Sequence, residues 1–344
     1  MSAAVVPLTG RPARFQGGAR EVAAGTHAWL QPNGAWFEAN AGLVVGDGAS
    51  LVIDTLSDER LARQMLAGLA EPLRDAPVRT VVNTHSDGDH WWGNAAMPPE
   101  AEIITCTPSR RAMDGEAAPG ALARLGRLAR STRWAPGSLG ALNRYVAAML
   151  SPLDLAAVRL RHPGRTFDDR LTVDVGGREV RLLVLGPAHT PGDTVAHVPD
   201  ARVVFAADLV FVGAIPVMWH GPSSGWLRAL DTLLELDADV YVPGHGDVAG
   251  RAELEAMRRF WTWLRAAVAE RGGATSDPLA TSEALIGSAE FAEFAGWECP
   301  ERLLISVVAV GRELAGEPPM RVTPAVRARL FRQVAVLRQR LGRG

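Results

Sequence analysis

Short apolar runs, each cut off by glycine, proline or a polar cluster, recur along most of the chain and read as buried strands. Val78-Arg79-Thr80-Val81-Val82-Asn83 stops at Thr84. Leu182-Leu183-Val184-Leu185 runs into Gly186-Pro187-Ala188-His189-Thr190-Pro191-Gly192. Val203-Val204-Phe205-Ala206-Ala207 ends on Asp208, and Val240-Tyr241-Val242 opens onto Pro243-Gly244-His245-Gly246. Two earlier runs, Asn40-Ala41-Gly42-Leu43-Val44-Val45 and Val52-Ile53-Asp54-Thr55, have the same character, and a helix is predicted near Asp58 to Ala70. Strand and helix therefore alternate from about residue 20 to 106 and again from 166 to 250, so two βα-rich halves can face each other across one core.

Between the halves the pattern changes. Residues 107–165 lose β-character and become rich in Ala, Arg and Leu. Leu122, Leu125 and Ala129 fall on one predicted helical face and Leu142, Val146 and Leu150 on another. The Arg124, Arg127, Arg130 and Arg133 series reads as a solvated helix face. An insertion that leaves and rejoins the core between the halves is placed to roof a cleft and shape a substrate pocket. After His245 the chain is again helical. Thr323-Pro324 is an N-cap followed by proline at the first helical position, and Val326, Leu330, Val334, Leu337 and Leu341 form an apolar stripe that needs a partner. That partner is either the core or a second subunit, which leaves a homodimer open. The resulting division is a core over residues 1–250, with the insertion inside it, and a helical extension over 251–344.

Chemistry is concentrated where predicted strands end. Thr84-His85-Ser86-Asp87-Gly88-Asp89-His90 places four donors in one turn, and His189, Asp208 and His245 each follow an apolar run. Such edges are where open α/β sheets present ligands, because loop side chains point outward while the sheet fixes their positions. Imidazoles and carboxylates converging from four places read as a site for two metal ions.

These residues resemble the metallo-β-lactamase superfamily of metal-dependent hydrolases. Members carry HxHxDH after a strand and then His, Asp and His on later strand-end loops; here His85, Asp89, His90, His189, Asp208 and His245 match. The resemblance spans roughly residues 20–250 and implies an αββα four-layer sandwich. It also implies a first ion held by His85, Asp87 and His189, a second held by Asp89, His90 and His245, and Asp208 bridging both. Zinc is the ion expected. Asp87 stands where most members have the second histidine, and a carboxylate there hardens the site and admits iron or manganese. Asp is short, so contact through water is left open.

The activity implied is hydrolysis of an ester, thioester, lactone or amide carbonyl, with Asp89 orienting a metal-activated water and the ions stabilising developing charge. Stretches such as Ala41-Gly42-Leu43-Val44-Val45-Gly46 and Gly186-Pro187-Ala188-His189 are also similar to aromatic-polyketide cyclase/thioesterase members. A di-iron redox protein and a binding protein that has lost catalysis are the alternatives. His220, on the loop after Asp208, is a candidate proton donor to a leaving group. Trp91, Trp92 and Trp219 are candidates for an aromatic wall along the substrate. His27, His162 and His197 lie outside the pattern.

Composition narrows the rest. The formal net charge is −2, with no dense basic run, so neither nucleic acid nor an anionic membrane is expected as a partner and a small-molecule substrate is. All 36 basic residues are arginine, which removes Schiff-base and P-loop lysines from consideration. Two cysteines are too few for a secreted disulfide framework, and the opening Met1–Pro7 lacks a charged segment followed by a long apolar one, so a cytoplasmic location is expected.

Overall fold

The structure, a computed structural model, describes residues 5–8, 10–32, 36–272 and 277–342; Met1 to Ala4 of the chain's opening lie outside them. Among the described residues, twelve strands form two sheets. The first contains β1 (Gly18–Ala23), β2 (Thr26–Leu30), β3 (Ala41–Val45), β4 (Ser50–Ile53), β5 (Val78–Val82), β6 (Glu102–Cys106) and β7 (Arg165–Phe167), ordered as in the sequence. Its first four strands pair antiparallel and its last four parallel. The second contains β8 (Arg170–Val175), β9 (Arg178–Val184), β10 (Thr194–Val198), β11 (Val203–Phe211) and β12 (Val240–His245), antiparallel except for the parallel β11–β12 pair.

Side-chain alternation stacks the layers. In β4, Leu51 and Ile53 point between the sheets while Val52 points to the outer helices. In β11, Val203 and Phe205 point inward while Val204 and Ala206 point outward. Outside the first sheet lies α1 (Glu59–Gly68), which starts where the Asp58 carboxylate accepts the Leu61 amide and buries Leu61, Ala62 and Met65. Outside the second lie α6 (Ser223–Glu235), α7 (Arg251–Glu270) and α9 (Leu303–Leu314), joined through Trp226, Phe260, Trp261 and Val307. The expected αββα order is present.

Short α2 (Gly88–Trp91) follows β5, and α3 (Thr107–Met113), α4 (Pro119–Ser131) and α5 (Gly137–Leu150) form the helical insertion; α8 (Pro278–Ile286) and α10 (Pro324–Arg340) complete the chain. Thr323 caps α10 and Pro324 opens it, as the sequence predicts. The apolar stripe of α10 finds its partner inside the chain: Leu330, Val334 and Leu337 pack with Ala141 and Tyr145 of α5, Trp219, and Leu304 and Ile305 of α9. On α4 the expected face is only partly covered, since Ala129 is buried but Leu125 is 45% exposed. The helix has rolled so that Gly126 meets Leu150 of α5. Cys106 and Cys299 are buried free thiols. No helix among the described residues is long and apolar enough to cross a membrane.

Candidate metal centre

The first sheet delivers its donors on the β5–α2 turn, and a carboxylate at the end of β4 fixes that turn. Asp54, with φ of +61°, accepts the Thr84 amide at 2.8 Å and the Thr84 hydroxyl at 2.7 Å, and lies 2.7 Å from His90 Nδ1. The Thr84 hydroxyl thereby spends its proton on Asp54 and accepts from His85 Nδ1, 3.0 Å away. On the other side of the cleft, His189 Nδ1 donates to the Val217 carbonyl at 2.5 Å. Three imidazoles thus have Nδ1 engaged outward, which turns Nε2 inward toward the other donors.

The second sheet contributes His189 after β9, Asp208 within β11 and His245 at the end of β12. Here the structure differs from the sequence reading, because β11 does not stop at Asp208 but continues to Phe211. Its pairing with β12 breaks register around Ala207, whose φ is +46°. This irregularity re-aims Asp208 into the cleft without ending the strand. A side chain at Gly244 would put its Cβ 1.8 Å from Asp208 Oδ1, so the strand facing the carboxylate needs glycine there.

Asp208 is the hub. Its Oδ1 lies 3.1 Å from His90 Nε2, and its Oδ2 lies 3.3 Å from His189 Nε2, 3.2 Å from His245 Nε2 and 4.0 Å from His85 Nε2. Asp87 Oδ2 reaches to 3.2 Å from His189 Nε2, and Asp89 Oδ2 to 3.8 Å from His245 Nε2. The donors form sets with ligand atoms within 4.8 Å of one another: His85 with Asp87 and His189, Asp89 with His90 and His245, and His85 with His90 and Asp208. The first two sets contain the same residues as the two groups that the resemblance implies; the third joins Asp208 to one histidine of each. Burial opposes protonation of His189, but Asp208 and Asp87 outweigh it and push its pKa up to about 10. Burial likewise works against the Asp208 carboxylate, yet His245, His90 and His189 hold it well below its ordinary range.

The residues fit a pair of cations. His85 Nε2, His90 Nε2 and Asp208 Oδ1 are buried and make no hydrogen bond, a costly state for polar atoms unless something else occupies the point they share. Nitrogen and carboxylate donors in this proportion suit zinc and also harder divalent ions.

Around the donors, the cleft is walled by Phe37, Trp92, Phe211, Trp219 and Phe331. Trp92 stacks on Phe37 with ring centroids 5.9 Å apart, and Phe211 stacks on His245 at 4.8 Å. Of the sequence candidates, Trp92 and Trp219 line the cleft. Trp91 turns away, donating its indole N–H to the Ser86 carbonyl and meeting the His162 ring in a tilted contact with centroids 4.9 Å apart. His220 is half-buried with its backbone N–H on the His189 carbonyl, and its side chain is not among those lining the cleft. His27 and His197 lie in β2 and β10, away from it.

Several residues with roles here carry no motif. Arg327 of α10 enters the cleft, pairs with Glu116 at 3.1 Å and lies over the Trp219 ring at 5.1 Å. Burial first, then nearby Asp87, raise the Glu116 pKa to about 7 against the pull of Arg327. Asp193 anchors the His189 loop by accepting the Ala188 and Thr190 amides and the Thr190 hydroxyl. A carboxylate closing an apolar strand marked Asp54, and a Pro-Gly-Asp turn marked Asp193; nothing local marked Arg327 or Glu116.

A model of the metallo-beta-lactamase superfamily matches residues 34–245. Among curated proteins, the chain is 28% identical over 229 residues to the alpha subunit of 2,4-dinitroanisole O-demethylase from Nocardioides sp. (strain JS1661), covering 63% of this chain and 56% of that one. It is 27% identical over 227 residues to a linear primary-alkylsulfatase from Pseudomonas sp. (strain ATCC 19151), covering 61% and 42%. The matches therefore span about half the length of these relatives. Among solved structures, a stereoselective inverting sec-alkylsulfatase from Pseudomonas sp. superposes with a TM-score of 0.63 at 18% identity, over 87% of this chain and 50% of that one. That likeness speaks for the fold alone.

Proposed function

The chain belongs to the metallo-beta-lactamase superfamily, and from that premise we propose that it is a hydrolase of ester bonds, carboxylic or sulfuric, in small molecules with a large apolar part. The observation that carries the reading is the meeting of seven donors on one region, with His85 Nε2, His90 Nε2 and Asp208 Oδ1 left buried and without hydrogen bonds. His85, Asp87 and His189 would hold one divalent ion, Asp89, His90 and His245 the other, and Asp208 both. Such ions supply Lewis acidity and make water nucleophilic near neutral pH.

The chain's own groups divide the remaining work. Asp89 sits at the open side of the cluster, its side chain 12% exposed, and accepts a hydrogen bond from the attacking water so that a lone pair faces the substrate. Trp92, Trp219, Phe37 and Phe331 wall in the reacting group and keep bulk water out. Arg327, held by Glu116, puts positive charge beside the reacting group and favours an ester that carries or develops negative charge. The curated relatives, named for an alkyl sulfate and for 2,4-dinitroanisole, favour an oxygen-linked substrate over an amide.

The test is elemental analysis of protein purified without added metal, followed by assays on p-nitrophenyl esters, an acyl thioester, a lactone and decyl sulfate. Turnover of an oxygen ester that stops on chelation and returns with zinc, iron or manganese is expected. Protein without stoichiometric metal, or turnover indifferent to chelator, would overturn the reading.

A further inference from the structure

The cleft beside the donors has a volume of only about 60 Å³, counted with no ion in place. That is room for roughly four to six waters and far below the roughly 300 Å³ at which ligand pockets begin. The reacting group fits there and the rest of a substrate does not. The neighbouring cavity measures about 470 Å³ and shares two walls with the cleft, Trp36 and Met149.

This chamber is built by pieces of chain that lie far apart in sequence. Leu8, Arg11 and Trp36 form one side, α5 contributes Ala141, Arg144, Tyr145, Ala148 and Met149, Cys299 adds to the wall, and α10 contributes Ala335 and Arg338. Trp36, between the two spaces, is pinned: its indole N–H donates to the Tyr145 hydroxyl at 2.5 Å, and Arg302 lies 4.3 Å from its ring. The chamber's lining contains three arginines and no carboxylate. Two of the three are already answered, since Arg338 bonds Glu301 at 3.0 Å and Arg11 lies 3.9 Å from Glu298. Arg144 has only a neutral contact among the described residues, donating to the Arg133 carbonyl at 3.2 Å.

The geometry points to a distal subsite: the chamber receives the apolar arm of the substrate past Trp36 and Met149, and Arg144 binds an acid at the far end of that arm. The ligand class is an amphipathic molecule with a reacting group at one end and a carboxylate or other oxyanion at the other. The inference rests on the hydrolase reading only for what happens at the donor cluster, so binding tests it independently of turnover.

The measurement is calorimetric titration of the full-length, metal-containing protein with dodecanoate and dodecanedioate, both below micelle-forming concentration. Both acids should bind saturably, and the diacid about tenfold more tightly, as one charge-assisted contact provides. Arg144→Gln should erase the diacid's advantage while leaving dodecanoate unchanged. Ala148→Trp, which fills the chamber from an exposed helix position, should weaken both by at least about tenfold with metal content unchanged. No saturable binding, equal affinity for the two acids, or an unchanged Ala148→Trp variant would overturn the subsite. If no ester is turned over but the two variants behave as stated, the hydrolase reading falls and the chamber stands; ester turnover without this binding pattern does the reverse. Should Ala148→Trp fail to fold, Arg144→Gln alone decides.

Discussion

The strand-end loops and the helical roof hold their residues by opposite means. In the loops, His85, His90 and His189 are nearly sealed from solvent, and each has its outer nitrogen on a named partner: Thr84, Asp54 and Val217. In the α4–α5 hairpin, Leu125, Leu128, Trp134 and Leu139 are 45–79% exposed, while α5 packs on α10 and the two helices share a second apolar cluster with Trp91, Trp92 and Met113. Loops of directed hydrogen bonds fix donors to within a fraction of an ångström. A roof of non-directional apolar contacts fixes only a volume, and so it can vary in sequence while the donors cannot.

The sharpest way to break this contrast is at the donors. Replacing His85 and His245 together by alanine should abolish stoichiometric metal and any ester turnover, read by elemental analysis and a chelator-controlled assay. Retained turnover would mean that the loops are scaffold and nothing more. Next in size is Asp54→Ala, which touches no ion yet frees His90 Nδ1 and Thr84 at once. Metal affinity should drop by about 10–100-fold, with the melting temperature reporting a smaller loss from the orphaned groups.

The roof should respond in the other currency, stability without metal loss. Leu330→Ala, at the buried centre of the α10 stripe, should lower unfolding free energy by about 2–5 kcal/mol in denaturant titration while metal per chain stays the same. Parallel loss of metal would show that the two regions are not separable. The smallest effect belongs to Leu128→Ser on the exposed side of α4, which should stay within about 0.5 kcal/mol of the parent.

The same contrast sets what the sequence disclosed. Each donor closes an apolar run, so His85, Asp87, Asp89, His90, His189, Asp208 and His245 could be picked out one strand at a time; the same runs gave two facing βα halves, and the four-layer order came from the family resemblance. The helix stripe of α10 was equally legible, although its partner, α5, was not, because one-sided apolarity says that a face is buried and not by what. Arg327, Glu116 and Trp36 escaped for that reason: their roles arise from the meeting of elements remote in sequence, and no spacing encodes it. Leu125 misled because helical periodicity gives a face, while the roll of α4 was set by the close approach of Gly126 to Leu150. Asp208 was picked out as a donor, but its strand was ended too early, since a register break is invisible in an apolar run.

Arg327 reaches the donor cluster from α10, the helix farthest along the chain from the histidine motif, and it brings the cluster a positive neighbour. Exchanging that tail between homologues would therefore alter the electrostatic character of the reaction centre while leaving every coordinating side chain untouched. Under the proposed function, α10 is a dial for substrate charge, and trimming it as dispensable would remove the setting.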